Sequence, residues 1–464
     1  MRSPSPHGRD NGVIMGPAKR LLRAGFRSLV RIYFRSIEVV GDRPTAATSG
    51  RIFVSNHSNA LLDPVLVLTH APCDMSPLAK STLWQIPGLK YLLDIADAVP
   101  IQRKRDDPNK PVEANDAIFE KVAQHLVAGG NVLVFPEGTS HNEPQLARLK
   151  TGAARMLARA REMGGRDLTF QAVGLEFDAR STFRSRAAVA YGPVRNVEEL
   201  AEGAAAAGEF VERVTTSMRA DLEDLVVEGA TWDERRLVLR IAELVQNDAF
   251  QQSAGSSQTP LGFNEAVRIA QRVEQARDDL RAQHPELAAR VERVVREYFE
   301  ALDRAGTSDA RVAGLPSETR PGAAALRALA WLGLPLFPVG VALYWVPYQL
   351  PRLVARRSDE IDQHSTLKLA TGLVAYPVWA AVLSGAALVG LRSRAARTAA
   401  IATIVASPFA ALHWLERTRE LRSMLRVLER PAELASLRER RARALEAIAQ
   451  ARDVFQAIDG AATA

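Results

Sequence analysis

The sequence predicts an α/β domain, a mixed sheet flanked by helices. A helical insertion or extension follows it, and then a C-terminal hydrophobic, membrane-associated helical region. Three observations carry this reading. Between residues 36 and 195, strand-like runs (Arg51–Ser55, Asn131–Phe135, Thr169–Leu175, Ala187–Tyr191) alternate with helical segments such as Glu113–Ala128 and Thr151–Met163. From 196 to 310 the chain is rich in alanine, glutamate and arginine and is helical in pattern throughout. Hydrophobic runs then follow: Ala328–Leu350 and Leu369–Leu391 have 23 residues each without a formal charge, and Thr398–Leu415 has 18.

Taken in order, residues 1–17 are rich in Pro, Gly, Ser and charge and are expected to be disordered. They hold no continuous apolar stretch, so a cleaved signal peptide is not expected. Residues 18–35 read as a basic amphipathic helix. Arg20, Arg23, Arg27, Arg31 and Arg35 share one arc, with Leu22, Phe26, Leu29, Val30 and Tyr33 opposite. Such a helix either lies in a membrane interface or packs on the domain that follows. Residues 36–195 form the α/β domain. Residues 196–310 form the helical region, divided by the polar break Gln251–Gln258.

Residues 322–415 hold the membrane segments, the first two runs long enough to span a bilayer and the third borderline. Arg352, Arg356 and Arg357 separate the first two runs, and Arg392, Arg394 and Arg397 the second and third. With both short loops basic, the positive-inside rule fits no simple alternation, and a non-spanning hairpin is the alternative. Residues 416–464 are a charged helical tail, interrupted at Pro431 and placed in water or on the membrane surface.

The 464 residues carry 60 Lys+Arg against 53 Asp+Glu, a net charge of +7. The basic residues recur beside hydrophobic runs, which favours an anionic membrane surface over nucleic acid. No zinc spacing, RNP-like aromatic pattern or long lysine tail is present. The single cysteine, Cys73, excludes an internal disulfide framework and a cysteine-based metal site. No metal is expected.

The chemistry concentrates in two runs, Asn56–Pro64 and Phe135–Thr139. A neutral imidazole backed by a carboxylate takes a proton from a hydroxyl near neutral pH. On a continuous helix the six-residue step from His57 to Asp63 turns by about 240° net, so the pair needs a turn between them. Pro64 suits the first helical turn, where an aspartate just ahead can cap. The helix is therefore expected to begin near Pro64, with Ser58–Leu62 a loop that brings His57 back. Asp63 then either orients His57 as a general base or is only a cap. Arg103, within Pro100–Arg105, reads as a phosphate grip or as part of a solvated basic loop. Glu137, Gly138 and Thr139 could hydrogen-bond a ligand's hydroxyls and offer backbone N–H groups, or could be a plain strand-end turn. Lys80 and Lys150 are further candidates for phosphate or coenzyme contacts. No Gly-x-Ser-x-Gly run occurs to suggest a covalent acyl-enzyme.

In this order and at this separation, the runs resemble the four blocks of the glycerophospholipid acyltransferase (PlsC-like) superfamily, over about residues 35–195. Asn56-His57 through Asp63 matches the first block and Val99–Arg103 the second, which carries a phosphate-binding arginine. Phe135–Ser140 matches the third in full, and the apolar strand Ala172–Leu175 corresponds to the fourth. Two departures stand out. Five residues, Ser58 to Leu62, separate the histidine and aspartate, one more than the commonest family spacing, and Ala172 stands where a proline is often found. The longer spacing, the run Thr139–Pro144 with Leu149–Ala154, and the hydrophobic C-terminal extension resemble the glycerol-3-phosphate and dihydroxyacetone-phosphate acyltransferase subgroup.

The resemblance implies an O-acyltransferase with His57 as general base and Asp63 as its partner. Arg103, Glu137, Gly138, Thr139, Lys80 and Lys150 would bind substrate. The acyl group would pass from acyl-CoA or acyl-carrier protein, a co-substrate rather than a bound cofactor, to glycerol 3-phosphate in phosphatidic acid synthesis. The alternative acceptor is 1-acylglycerol 3-phosphate. An inactive membrane lipid-binding protein and a lipid or thioester hydrolase are the other readings. Membrane lipids are the expected partners and nucleic acid is not. The expected location is the inner (cytoplasmic) membrane, with the catalytic domain facing the cytoplasm.

Overall fold

A computed structural model describes residues 16–42, 50–86, 88–102, 116–203, 206–252, 263–314, 335–358 and 361–462, in two compact units, Met1–Glu228 and Gly229–Ala464. Residues 1–15, most of the segment expected to be disordered, lie outside the described residues, as do Arg103–Arg105, Ser253–Gln258 and Ala328–Leu334.

The first unit is built on a seven-stranded sheet. In chain order the strands are β1 (Ser36–Gly41), β2 (Arg51–Ser55), β3 (Ser76–Lys80), β4 (Val99–Ile101), β5 (Asn131–Val134), β6 (Thr169–Phe177) and β7 (Arg186–Asn196). Their order across the sheet is β1-β7-β6-β2-β5-β3-β4. From β6 to β4 all pairs are parallel; β7 runs antiparallel to β6, and β1 parallel to β7. The sheet is thus mixed, and β2, β5, β3 and β4 all present their carboxyl ends at one edge.

Helices cover the sheet because their apolar stripes match it. On α4 (Asp116–Val127), Val122, Ala123 and Leu126 are buried, and on α5 (Gly152–Glu162) Ala153, Met156, Leu157 and Ala160 are. They join Ile52 and Val54 of β2, Val132 of β5 and Phe170 of β6 in one core. The short α6 (Val197–Ala201) and α7 (Ala207–Glu223) belong to the same core through Val197, Phe210, Val214, Met218 and Leu222. Residues 197–223 therefore complete the α/β unit, although their composition assigns them to the helical region beyond it. Burying the four large α7 side chains contributes about 1.5–3 kcal/mol each.

The basic helix α1 (Pro17–Tyr33) packs on α2 (Leu62–His70). Part of its arginine face turns inward: Arg27 Nε donates to the Thr69 carbonyl at 2.8 Å and Arg23 Nη1 to that of Cys73 at 3.4 Å. A guanidinium at the carboxyl end of α2 satisfies carbonyls that the helix leaves unpaired. Val30 and Tyr33 are buried, whereas Arg20, Arg31 and Arg35 face outward.

The second unit is helical. Helices Trp232–Gln252, Phe263–Gln283 and Pro285–Ala305 precede Leu336–Ala355, Ile361–Gly390, Arg394–Glu429 and Pro431–Ala462. The charged tail is not left in water: Leu437, Ala444 and Ala447 enter a core with Leu237, Ile241, Val295 and Tyr298. Arg441 Nε also donates to buried Asp309 at 2.9 Å. Gln363–Gly390 and Arg394–Glu416 are long and apolar enough to cross a bilayer, with 0% and 22% of their most apolar windows buried. Leu336–Ala355, the described part of the first hydrophobic run, carries Pro347 and Pro351 and packs against both.

Candidate active site

The site lies at the carboxyl edge of the parallel strands, where open α/β sheets leave a crevice. β2 runs straight into Asn56 and His57, and β5 into Phe135–Glu137. β3 ends at Lys80. β4 ends at Ile101, two residues before Arg103, which lies outside the described residues.

The His57–Asp63 loop closes differently from the expected cap. Helix α2 begins at Leu62, not Pro64, so Asp63 stands in its first turn and caps nothing downstream. Its Oδ2 reaches back instead, accepting from Ser58 N at 2.7 Å and Asn59 N at 2.6 Å, with His57 Nδ1 at 3.1 Å. The carboxylate is fully buried, and Oδ1 has no partner among the described residues. A carboxylate at Nδ1 selects the tautomer with hydrogen on that atom, which leaves Nε2 as the acceptor. The His57 ring is stacked on Phe135, centroids 4.2 Å apart and planes at 27°.

Glu137 is buried and both its oxygens are engaged by protein. Oε1 accepts from His57 N at 2.6 Å; Oε2 accepts from Ala147 N at 3.0 Å and meets His141 Nε2. Hydrogen bonding to Glu137 raises the His141 imidazole above its ordinary value against the opposing effect of its own burial. Gly138 has φ +78°, and its N–H donates to Phe135 O at 3.0 Å. A Cβ there would stand 2.2 Å from Lys150 Nζ, so the missing side chain is what lets Lys150 lie over the turn. Lys150 N donates in turn to Pro136 O at 2.8 Å, folding residues 138–149 back on themselves. Thr139 Oγ1 donates to Ser140 O at 3.2 Å. Lys80 shares the edge, two strands from β2.

The structure thus brings His57, Asp63, Glu137, Gly138 and Lys150 together. It adds four residues that carried no assigned role in the sequence. Asn56 exchanges two bonds with the Leu175 backbone (Nδ2 to O at 2.9 Å, Oδ1 from N at 2.8 Å) and so locks β6 beside β2. Phe135 supports the imidazole. Arg180 Nη1 donates to Ser58 O at 3.2 Å and His141 O at 3.4 Å, and Nη2 bonds Asn142. His141 sits on Glu137. Residues 135–141 are not helical, so the i, i+4 spacing of Glu137 and His141 marks no shared face in the sequence.

A buried imidazole–carboxylate pair of this kind, at the carboxyl edge of a mixed sheet, is an arrangement that can take a proton from a hydroxyl. Residues 36–175 match the family model described as Acyltransferase, and that part of the chain is a domain of this family, as the four blocks indicate. The chain is 39% identical over 82 residues to glycerol-3-phosphate O-acyltransferase 2 of Saccharomyces cerevisiae, covering 17% of this chain and 11% of that protein. It is 30% identical over 125 residues to a putative 1-acyl-sn-glycerol-3-phosphate acyltransferase of Caenorhabditis elegans, covering 27% and 43%. A crystal structure of PlsC, the 1-acyl-sn-glycerophosphate acyltransferase of Thermotoga maritima, is similar at 17% identity and a TM-score of 0.33, over 45% of this chain and 79% of that one. The chain spans less than half the length of either curated relative.

Proposed function

We propose that this protein transfers a fatty acyl group from an acyl thioester to the free hydroxyl of glycerol 3-phosphate. The observation that carries the reading is the His57–Asp63 pair, with Nε2 left as the acceptor. His57 Nε2 takes the proton from the glycerol hydroxyl as its oxygen attacks the thioester carbonyl. The tetrahedral intermediate collapses, the C–S bond breaks, and the imidazolium returns its proton to the departing thiolate. Asp63 stabilises the imidazolium between those events. Lys80, Lys150 and Arg103 are the cations proposed for the acceptor's phosphate or the donor, and Thr139 for its hydroxyls. Acyl-CoA or acyl-carrier protein supplies the acyl group.

The acceptor choice rests on the five-residue spacing between His57 and Asp63. A second acceptor, 1-acylglycerol 3-phosphate, is favoured by one observation: proteins named for each activity are among the relatives. The two apolar helices support a membrane location, which we assign to the cytoplasmic membrane with the first unit on the cytoplasmic side.

The test supplies purified full-length protein with radiolabelled acyl-CoA and either glycerol 3-phosphate or its 1-acyl form. The expected result is an acylated product, larger in amount with glycerol 3-phosphate and absent in His57→Ala. Product that survives His57→Ala refutes the general base. Free fatty acid without an acylated acceptor makes the protein a hydrolase.

A further inference from the structure

Two imidazole–carboxylate pairs stand back to back in this site, and the mechanism uses only one. The second is His141 with Glu137. It is joined to the first twice through the backbone. His57 N donates to Glu137 Oε1 at 2.6 Å, and His141 N donates to His57 O at 3.2 Å. Arg180 ties the same two loops from another side, through the carbonyls of Ser58 and His141.

Both nitrogens of the His141 ring are occupied by protein. Nε2 meets Glu137, and Nδ1 accepts from Glu143 N at 3.2 Å. This arrangement leaves no ring atom to exchange a proton with a substrate, and it sets Nε2 as the donor to Glu137. The charged groups facing the ring are Glu137, Glu143 and Arg180. Both Glu137 oxygens accept from protein donors, Oε1 on the His57 side and Oε2 on the His141 side, so the glutamate of the Phe135–Thr139 run links the two histidines.

Resting on the acyltransferase reading above, we propose that His141 is a positioning residue: by holding Glu137 it fixes the backbone of His57 and hence the ring that removes the proton. Without the His141 contact, Glu137 Oε2 keeps only Ala147 N, and Oε1 is free to swing from His57 N. A shift of about 1 Å in a general base costs on the order of 100-fold in rate.

Gln and Asn separate the two ends of the ring. The Gln amide places an N–H near the position of Nε2, whereas Asn reaches only the position of Nδ1. The experiment compares His141→Ala, His141→Gln and His141→Asn in the full chain. It reads kcat and KM for the acceptor, and the site-resolved rate at which diethylpyrocarbonate modifies His57, by mass spectrometry. The expected result is a kcat lower by about 10- to 100-fold in the Ala and Asn variants, with acceptor KM within about threefold and faster modification of His57; Gln restores both to near the wild-type values.

A KM effect without a kcat effect would place His141 on the acceptor and overturn the proposal. So would equal behaviour of Gln and Asn, or unchanged modification of His57 in all three. The modification rate needs no turnover. If wild-type protein acylates neither acceptor, the acyltransferase reading fails while the Gln–Asn contrast in His57 protection still decides the positioning role.

Discussion

Asp63→Asn separates the two contributions a buried carboxylate makes beside His57. Oδ2 takes three donors, His57 Nδ1 at 3.1 Å, Ser58 N at 2.7 Å and Asn59 N at 2.6 Å. The two backbone N–H groups oblige an asparagine to turn its amide oxygen toward them and its NH2 into the place of Oδ1. In that orientation the oxygen still accepts from His57 Nδ1, so the tautomer survives and only the charge is lost. The loss matters when His57 becomes an imidazolium. Unit charges about 4 Å apart attract by about 4 kcal/mol at an effective dielectric constant near 20, and the amide dipole retains part of this. A loss of about 2–3 kcal/mol lowers kcat by roughly 30- to 160-fold. The NH2 group, placed where Oδ1 has no partner, also lowers stability by about 1–3 kcal/mol. The assay follows thiol release under saturating acyl-CoA and acceptor, with circular dichroism at the assay temperature to verify folding. A kcat within threefold of wild type would show that the charge is not used. A loss near ten-thousandfold would show that Asp63 supplies tautomer and geometry instead.

Gly138→Ala places a Cβ 2.2 Å from Lys150 Nζ at φ +78°. It should cost at least about 1–2 kcal/mol in a thermal or urea melt and raise the acceptor KM; unchanged values for both would remove Lys150 from the site. Ala60 holds φ +36° in the His57–Asp63 loop. Ala60→Gly should therefore leave stability level or raise it by up to about 1 kcal/mol, with kcat unchanged, and a clear loss of stability would refute strain there. Burial raises the Glu228 carboxyl above its ordinary value, with Glu223 and Glu137 adding to the rise, while Leu146 N donates to it at 2.5 Å. A raised carboxyl contributes stability that is full below its unfolded value and is lost as pH climbs through the folded one. Glu228→Gln keeps an acceptor for Leu146 and should melt no lower than wild type at neutral pH, the difference closing as pH falls; a lower melting temperature at neutral pH would refute it.

How much of this was legible varies with the physics of each element. β2, β5 and β6 are β-branched or apolar runs bounded by polar turns, and their cores lie where the pattern places them. β3 and β4 are hidden by Pro77 and Pro100. The sheet tolerates both because β4 is an edge strand, and because Pro77 pairs with β5 before β4 begins opposite Leu78. The apolar stripe of α7 was visible, but amphipathicity does not say which surface it covers, and it covers the sheet. Within the site, His57, Asp63 and the Phe135–Thr139 run could be read from their chemistry. His141 and Arg180 could not, because their roles depend on residues 138–149 folding back to Pro136 and on the loop after β6 returning to Ser58.

The longer His57–Asp63 spacing finds its physical account in the start of α2. A side chain on a helix leans toward the helix's amino terminus, so a residue in the first turn overhangs the chain that enters it. Because α2 begins at Leu62, Asp63 overhangs Ser58 and Asn59, and its carboxylate closes on their N–H groups. The extra residue is taken up in the turn from Asn59 to Leu62, closed by Leu62 N to Asn59 O at 2.8 Å with Ala60 at positive φ. Had the helix begun at Pro64 with Asp63 as its cap, the carboxylate would have faced the helix's own N–H groups, away from His57. Starting the helix two residues earlier directs it to the imidazole, so the loop and the catalytic pair are closed by the same oxygen.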